Sequence, residues 1–146
     1  MTAHQWDEVI DVNLTGIYRA TRAFVQEITG SACGRIVNLS SVVGLAGNIG
    51  QGNYAASKSG MVGLSKSLAC ELAPTGAPVD VFAHGCIDMP MVQQIPQKVM
   101  RRILSWVPRT RFGPPQEMAD DVLHLASTDA DYITGMVPHR DGGHYV

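Results

Sequence analysis

Several features that would assign this chain quickly are absent or scarce. Cysteine is limited to Cys33, Cys70 and Cys86, widely separated and without a CxxC pair. Neither a disulfide framework nor a thiolate zinc site is expected, and the pattern fits a reducing, cytoplasmic setting. The five histidines contain no HExxH or comparable ligand spacing, so no metal is expected. Charge of one sign is lacking too: 11 basic against 13 acidic side chains give a formal net charge of −2, with no long block of either. That argues against a nucleic-acid surface and against a polybasic membrane anchor. No apolar run approaches the ~18 residues of a membrane span, and the start MTAHQWDEVI lacks a basic segment followed by an apolar one.

What is present is a chain of 146 residues, 45% hydrophobic, enough for one core and one domain. Over residues 2–28 the apolar positions Trp6, Val9, Ile10, Leu14, Ile17, Phe24 and Val25 recur at helical spacing. A glycine-bearing turn then leads into the short apolar run Ile36, Val37, Leu39, read as a buried strand. A glycine loop follows, and residues 51–72 again have helical period, ending before Pro74 and Gly76. APVDVFAHG reads as a second strand. Residues 87–108 are expected to be mobile, with a short helix over 93–104. PPQEMADDVLHLAS has the prolines and early acidic residues of a helix start. GMVPHRDGG reads as a third strand, placed at a sheet edge by Pro138. Strands alternating with helices, joined by connections too long for hairpins, indicate a parallel sheet of the α/β class.

The stretch SVVGLAGNIGQGNYAASKSG, residues 41–60, raises the question of chemistry. Glycines between a strand and a helix suggest a dinucleotide cradle, but Gly44, Gly47, Gly50 and Gly52 read GxxGxxGxG rather than GxGxxG. Glu71 lies at about the right distance downstream but on the helix, not at a strand end. A P-loop is excluded because no GxxxxG precedes Lys58. Tyr54 and Lys58, four apart, instead share one helix face. An ammonium near a phenol favours the phenolate and makes it a usable proton donor or acceptor nearer neutral pH. Ser41, thirteen residues earlier at the strand end, can add a hydroxyl to the same point; its neighbour Ser40 would face the other way by strand alternation.

The segments VNLTG, GRIVNLSSVVG, GQGNYAASKSG and ITGMVPHRDGG, in that order, make the chain resemble the short-chain dehydrogenase/reductase family, and most nearly its 3-oxoacyl-acyl-carrier-protein reductases. The resemblance implies a Rossmann-like doubly wound parallel sheet, here represented by about three strands of its C-terminal part. Residues 1–146 would form a partial domain without the N-terminal dinucleotide-binding half. It makes Tyr54 the general acid/base, Lys58 the cation that lowers its pKa and binds the nicotinamide ribose, Ser41 the donor to the substrate oxygen, and Asn13 the fourth member, holding a water. Gly85 and Ile87 would line the cofactor, NADP or NAD. A small carbonyl or hydroxyl substrate, carried by acyl carrier protein, and a homo-oligomeric assembly are implied as well.

The chain departs from the family pattern at four positions: His84 replaces a proline, Met89 a threonine, Asp80 an asparagine and Arg140 an apolar residue. A buried unpaired charge costs several kcal/mol, so Asp80 and Arg140 need partners or solvent. Two functions follow as expectations. One is carbonyl reduction or alcohol oxidation through Tyr54, with the chain alone expected to be inactive because it lacks the cofactor-binding turn. The other is a non-catalytic remnant that engages a full-length relative through the faces of helices 2–28 and 51–72.

Overall fold

The computed structural model describes residues 1–145. A capping box opens the chain: Thr2 accepts from the Gln5 backbone N–H while the Gln5 side chain accepts from that of Thr2, at 3.2 and 2.9 Å. Helix α1 (Ala3–Ile10) runs through a π-helical turn (Asp11–Thr15) into α2 (Gly16–Gly30). The helix expected over 2–28 is therefore present, with a widened turn at Asn13 that apolar periodicity does not report. Strand β1 (Ile36–Ser41) follows. The expected glycine loop is partly helical: α3 (Val42–Ala46) begins directly after Ser41, whose hydroxyl accepts from the Val43 N–H at 3.2 Å and caps it. Gly47 and Gly50, at φ 75° and 78°, then make the turn into α4 (Gly52–Leu72).

Strand β2 (Val79–His84) is the middle of a three-stranded parallel sheet, in the order β1-β2-β3. It is covered on both faces, which explains its near-continuous apolar sequence: Val79, Val81, Phe82 and Ala83 are each at most 1% exposed. Ile36, Ala69 and Val79 form a core cluster, backed by Ile28, Leu68 and Leu72, which fastens α4 to the sheet. The helix expected over 93–104 is two helices, α5 (Pro90–Gln93) and α6 (Gln97–Leu104). Pro96 interrupts them, since it cannot donate within a helix and biases Ile95 away from the helical region. Helix α7 (Pro115–Leu125) begins behind Pro114 as expected.

The third strand, β3 (His139–Arg140), is shorter than the sequence suggests. The carbonyls of Met136, Pro138 and Arg140 accept from Val81, Ala83 and Gly85 at 2.9–3.0 Å, so the extended segment lies along β2 over a greater length. Pro138 accepts on that side but has no N–H to return, which breaks the ladder before His139. β3 is an edge strand, as expected.

Candidate active site

Helices α3 and α4 bring the sequence-selected residues to the C-terminal end of β1. Gly44 permits their close crossing: a Cβ there would lie 2.7 Å from Lys58 Cβ and 2.9 Å from its carbonyl carbon. The Ser59 hydroxyl donates to the Gly44 carbonyl across the same crossing. Ser40 and Ser41 diverge as strand alternation requires. Ser40 Oγ donates to the Lys58 carbonyl at 3.0 Å, fixing α4 on the strand, whereas Ser41 Oγ reaches the His84 carbonyl at 3.4 Å. Both are buried. Ser40 is thus a structural hydroxyl, and Ser41 is the one at the mouth of the strand.

Tyr54 and Lys58 sit one turn apart on α4, and the ammonium lies 5.7 Å from the centre of the Tyr54 ring. Among the described residues the Tyr54 hydroxyl has no protein hydrogen-bond partner. Lys58 Nζ donates to the Leu39 carbonyl at 2.7 Å, and burial pulls its pKa below the ordinary lysine value. Asn13 approaches from the π-helical turn: its side-chain amide donates to Ser57 Oγ at 3.2 Å, and Ser57 Oγ donates to the Tyr54 carbonyl at 2.8 Å. The contact of Asn13 is therefore with the α4 backbone under Tyr54, through Ser57. Ser57 is fully buried and is the member that sequence reasoning missed; its place beside Lys58, facing inward, was the available signal.

Gly85 and Ile87 stand just past β2. Gly85 is required by packing, because a Cβ would meet Asp141 Cα and Cβ at 2.7 and 2.8 Å. Ile87, 3% exposed, pairs with Gly113 in a parallel bridge and walls an apolar cleft of about 590 Å³ that also includes Leu39, Met89, Met118 and Leu123. His84 is half-buried beside Ser41, its Nδ1 2.9 Å from the Gly85 carbonyl; as a carbonyl only accepts, the proton belongs on Nδ1. A second cleft, of about 770 Å³, lies between α7, β3 and residues 107–113. Asn13, Ser41, Tyr54 and Lys58 line neither cleft.

The two out-of-pattern charges are accommodated differently. Arg140, at the sheet edge, forms a two-pronged pair with Asp121 on α7 and approaches Glu117 at 3.5 Å, all partly solvated. Asp80 is 1% exposed; its Oδ1 accepts from the Met136 N–H at 2.9 Å, and Arg35 lies near enough to act on it electrostatically. Burial outweighs both and raises its pKa. Among the described residues no group of three or more His, Cys, Asp or Glu could hold a metal, and no helix is long and apolar enough to cross a membrane.

The chain matches known proteins over nearly its whole length. A family model described as enoyl-(acyl carrier protein) reductase matches residues 1–145. The chain belongs to the short-chain dehydrogenase/reductase family. It is 44% identical over 147 residues to the (3R)-3-hydroxyacyl-CoA dehydrogenase of Canis lupus familiaris, covering 100% of this chain and 57% of that protein. It is 46% identical over 143 residues to the 3-oxoacyl-[acyl-carrier-protein] reductase FabG of Thermotoga maritima, covering 98% and 58%. A shorter relative, estradiol 17-beta-dehydrogenase 8 of Callithrix jacchus, is 47% identical over 131 residues, 89% of this chain and 98% of that one. Against the first two, this short-chain dehydrogenase/reductase chain spans somewhat over half the length of the relative.

Proposed function

We propose that this chain carries the proton-handling half of a nicotinamide-dependent 3-oxoacyl reductase. The observation behind the reading is the Tyr54 hydroxyl, unpartnered among the described residues, one helical turn from a half-buried cation and beside the strand end that presents Ser41. Two relatives bear names for the opposite directions of one redox change at C3, a 3-oxoacyl reductase and a 3-hydroxyacyl dehydrogenase. This supports a thioester-linked 3-oxoacyl or 3-hydroxyacyl substrate, carried by acyl carrier protein or coenzyme A.

The residues present fit the nicotinamide end of NADP or NAD and not the rest. Tyr54 and Lys58 offer a phenol and an ammonium to a ribose, and Gly85 and Ile87 lie at the adjacent strand end, whereas the glycines of 44–52 are used in a helix crossing and a turn rather than a phosphate cradle. The cofactor supplies or takes the hydride at the carbonyl carbon. Ser41 donates a hydrogen bond to the carbonyl oxygen, Tyr54 delivers the proton that this oxygen takes up, and Lys58 stabilises the tyrosine once it has given that proton away. Asn13 acts at one remove, through Ser57, by holding the α4 backbone under Tyr54. Three free cysteines fit a reducing compartment. Exposed Val12, Tyr18 and Phe24 on the first helices fit subunit contacts, and they favour the second reading, a fragment that engages a relative without catalysis.

The test is a chimera in which this chain replaces the matching portion of the Thermotoga maritima relative. Reduction of a 3-oxoacyl thioester with NADPH or NADH is expected, with a loss of at least ~100-fold in kcat for Tyr54→Phe, within the range for removal of a positioned acid. A chimera that folds and binds the cofactor but reduces nothing would leave the second reading.

A further inference from the structure

The end of β2 carries an imidazole with one nitrogen to spare. Ser41 on β1 and Arg140 on β3 are both Cα partners of His84, so a hydroxyl, an imidazole and a guanidinium stand in one row across the sheet. Their face follows from alternation. Asn38 and Ser40 on β1 bond to α4, and their partners Val81 and Ala83 share that side, which turns Ser41 and His84 to the other. The two side chains are neighbours, one strand spacing of ~4.8 Å apart. His84 Nδ1–H is committed to the Gly85 carbonyl at 2.9 Å, which fixes the ring and leaves Nε2. Among the described residues Nε2 has no protein partner, and it is not buried. Arg140 is taken up by Asp121 and Glu117, whereas Ser41 donates only a long bond of 3.4 Å to the His84 carbonyl, one that a ligand oxygen can replace. His84, like Ser41, lines neither cleft. The row therefore offers a ligand two groups, Ser41 Oγ and His84 Nε2.

A 3-oxoacyl thioester carries two oxygens on alternate carbons, C3 and C1. With the C3 oxygen at Ser41 and Tyr54, the C1 oxygen lies one methylene further on, a step that a group on the neighbouring strand can meet. A carbonyl oxygen only accepts, so Nε2 serves it only when it bears a proton; with Nδ1–H held by Gly85, that form is the imidazolium. We propose that His84 is a specificity-determining residue whose Nε2–H donates to the C1 thioester carbonyl, so that the site selects 1,3-dicarbonyl substrates over lone ketones. The proton is taken from solvent and returned on release. The assignment of the C3 oxygen rests on the reading of Ser41 and Tyr54 given above. Around the end of β2 the other charges are matched: Arg140 meets Asp121 and Glu117, and Glu117 is shared with Arg111. Lys58 on α4 is directed to the Leu39 carbonyl, and Asp141 beyond β3 takes the Gly143 and Tyr145 N–H groups. The Tyr54 phenol on α4, and the Cys86 thiol and Asp88 carboxylate on the chain leaving β2, complete the titratable groups there; β1 and α3 contribute none.

The test uses the chimera described above, loaded with the oxidised cofactor so that nothing is reduced, and two probes. Acetoacetyl-coenzyme A has oxygens at C1 and C3; the thioether S-(3-oxobutyl)-coenzyme A has the C3 oxygen alone. At pH 6 the thioester should bind ~10-fold more tightly, the ratio for one charged hydrogen bond, and the preference should vanish by pH 8.5. Ring signals of labelled histidine should show His84 keeping its proton to higher pH with the thioester bound than with the thioether. His84→Gln, whose amide donates without titrating, should keep the preference and make it independent of pH. His84→Leu should abolish it while leaving thioether affinity unchanged. Equal binding of the two probes at pH 6, a pH-dependent preference that survives in His84→Leu, or binding of neither probe would overturn the proposal. The expected preference in a chimera that reduces nothing would leave this inference standing and sink the catalytic reading.

Discussion

Replacing Asp80 by asparagine should stabilise the fold, although it alters a charged residue with a hydrogen bond. Asp80 is 1% exposed in the central strand, and its Oδ1 takes the Met136 N–H at 2.9 Å. Arg35 attracts it but is itself committed to Asp131 at 2.6 Å and to the Ser127 carbonyl at 2.6 Å. The raised carboxyl pKa shows that desolvation wins. A buried charge with incomplete compensation costs several kcal/mol, of which one charge-assisted bond returns ~1.5–3. Asparagine keeps the acceptor and removes the charge while adding an amide that needs its own partner. A net gain of about 1 kcal/mol at pH 7 is expected, or ~2–4 °C in Tm for a chain of this size. The pH dependence has a definite sign. Below the ordinary aspartate pKa both states are protonated and the two proteins should melt alike. As pH rises past that value the unfolded chain ionises first, and wild type loses stability until the native carboxyl has ionised too; above that the difference is constant. Thermal melts at intervals from pH 3.5 to 8 measure it. A variant less stable than wild type at pH 7, or a Tm difference independent of pH, would show that Arg35 governs the site and refute the argument. Asp80→Ala, which strands the Met136 N–H, should destabilise by ~1–3 kcal/mol.

Two further substitutions test backbone constraints. Thr110 has φ 51°, a conformation that a β-branched residue adopts only under strain, so Thr110→Gly should raise stability by about 1 kcal/mol in denaturant titrations; destabilisation would mean the side chain holds the 107–113 loop in place. Gly85→Ala would set a methyl 2.7 Å from Asp141 Cα, and should cost ~1–3 kcal/mol by the same measurement, whereas a neutral result would show that the end of β3 yields freely.

Much of the fold could be read locally, and the errors have local physical causes. The strand at Ile36 and the helix over 51–72 follow from apolar pattern and flanking breakers, and both are present as β1 and α4. The one-turn helix α3 was hidden because Gly44, read as a loop signal, is a contact residue whose missing side chain admits Lys58. The split between α5 and α6 follows from Pro96, a helix breaker inside the span expected as one helix. The π-helical turn at Asn13 is not signalled by apolar spacing, which marks a buried face and not the hydrogen-bond step within the helix.

The candidate site shows a different limit. Tyr54, Lys58 and Ser41 were legible because a helical spacing and a strand end are local facts, and the fold brings α4 against β1 at that end. What each side chain does there is non-local. The route from Asn13 to Tyr54 passes through Ser57, 44 residues away in sequence, and depends on two helices meeting at that level. The partner of Lys58 depends on something further still, the lack of a strand beside Leu39 among the described residues. A motif fixes which groups are on hand, but the protonation and reach of its cation are set by which backbone groups the rest of the sheet leaves unsatisfied.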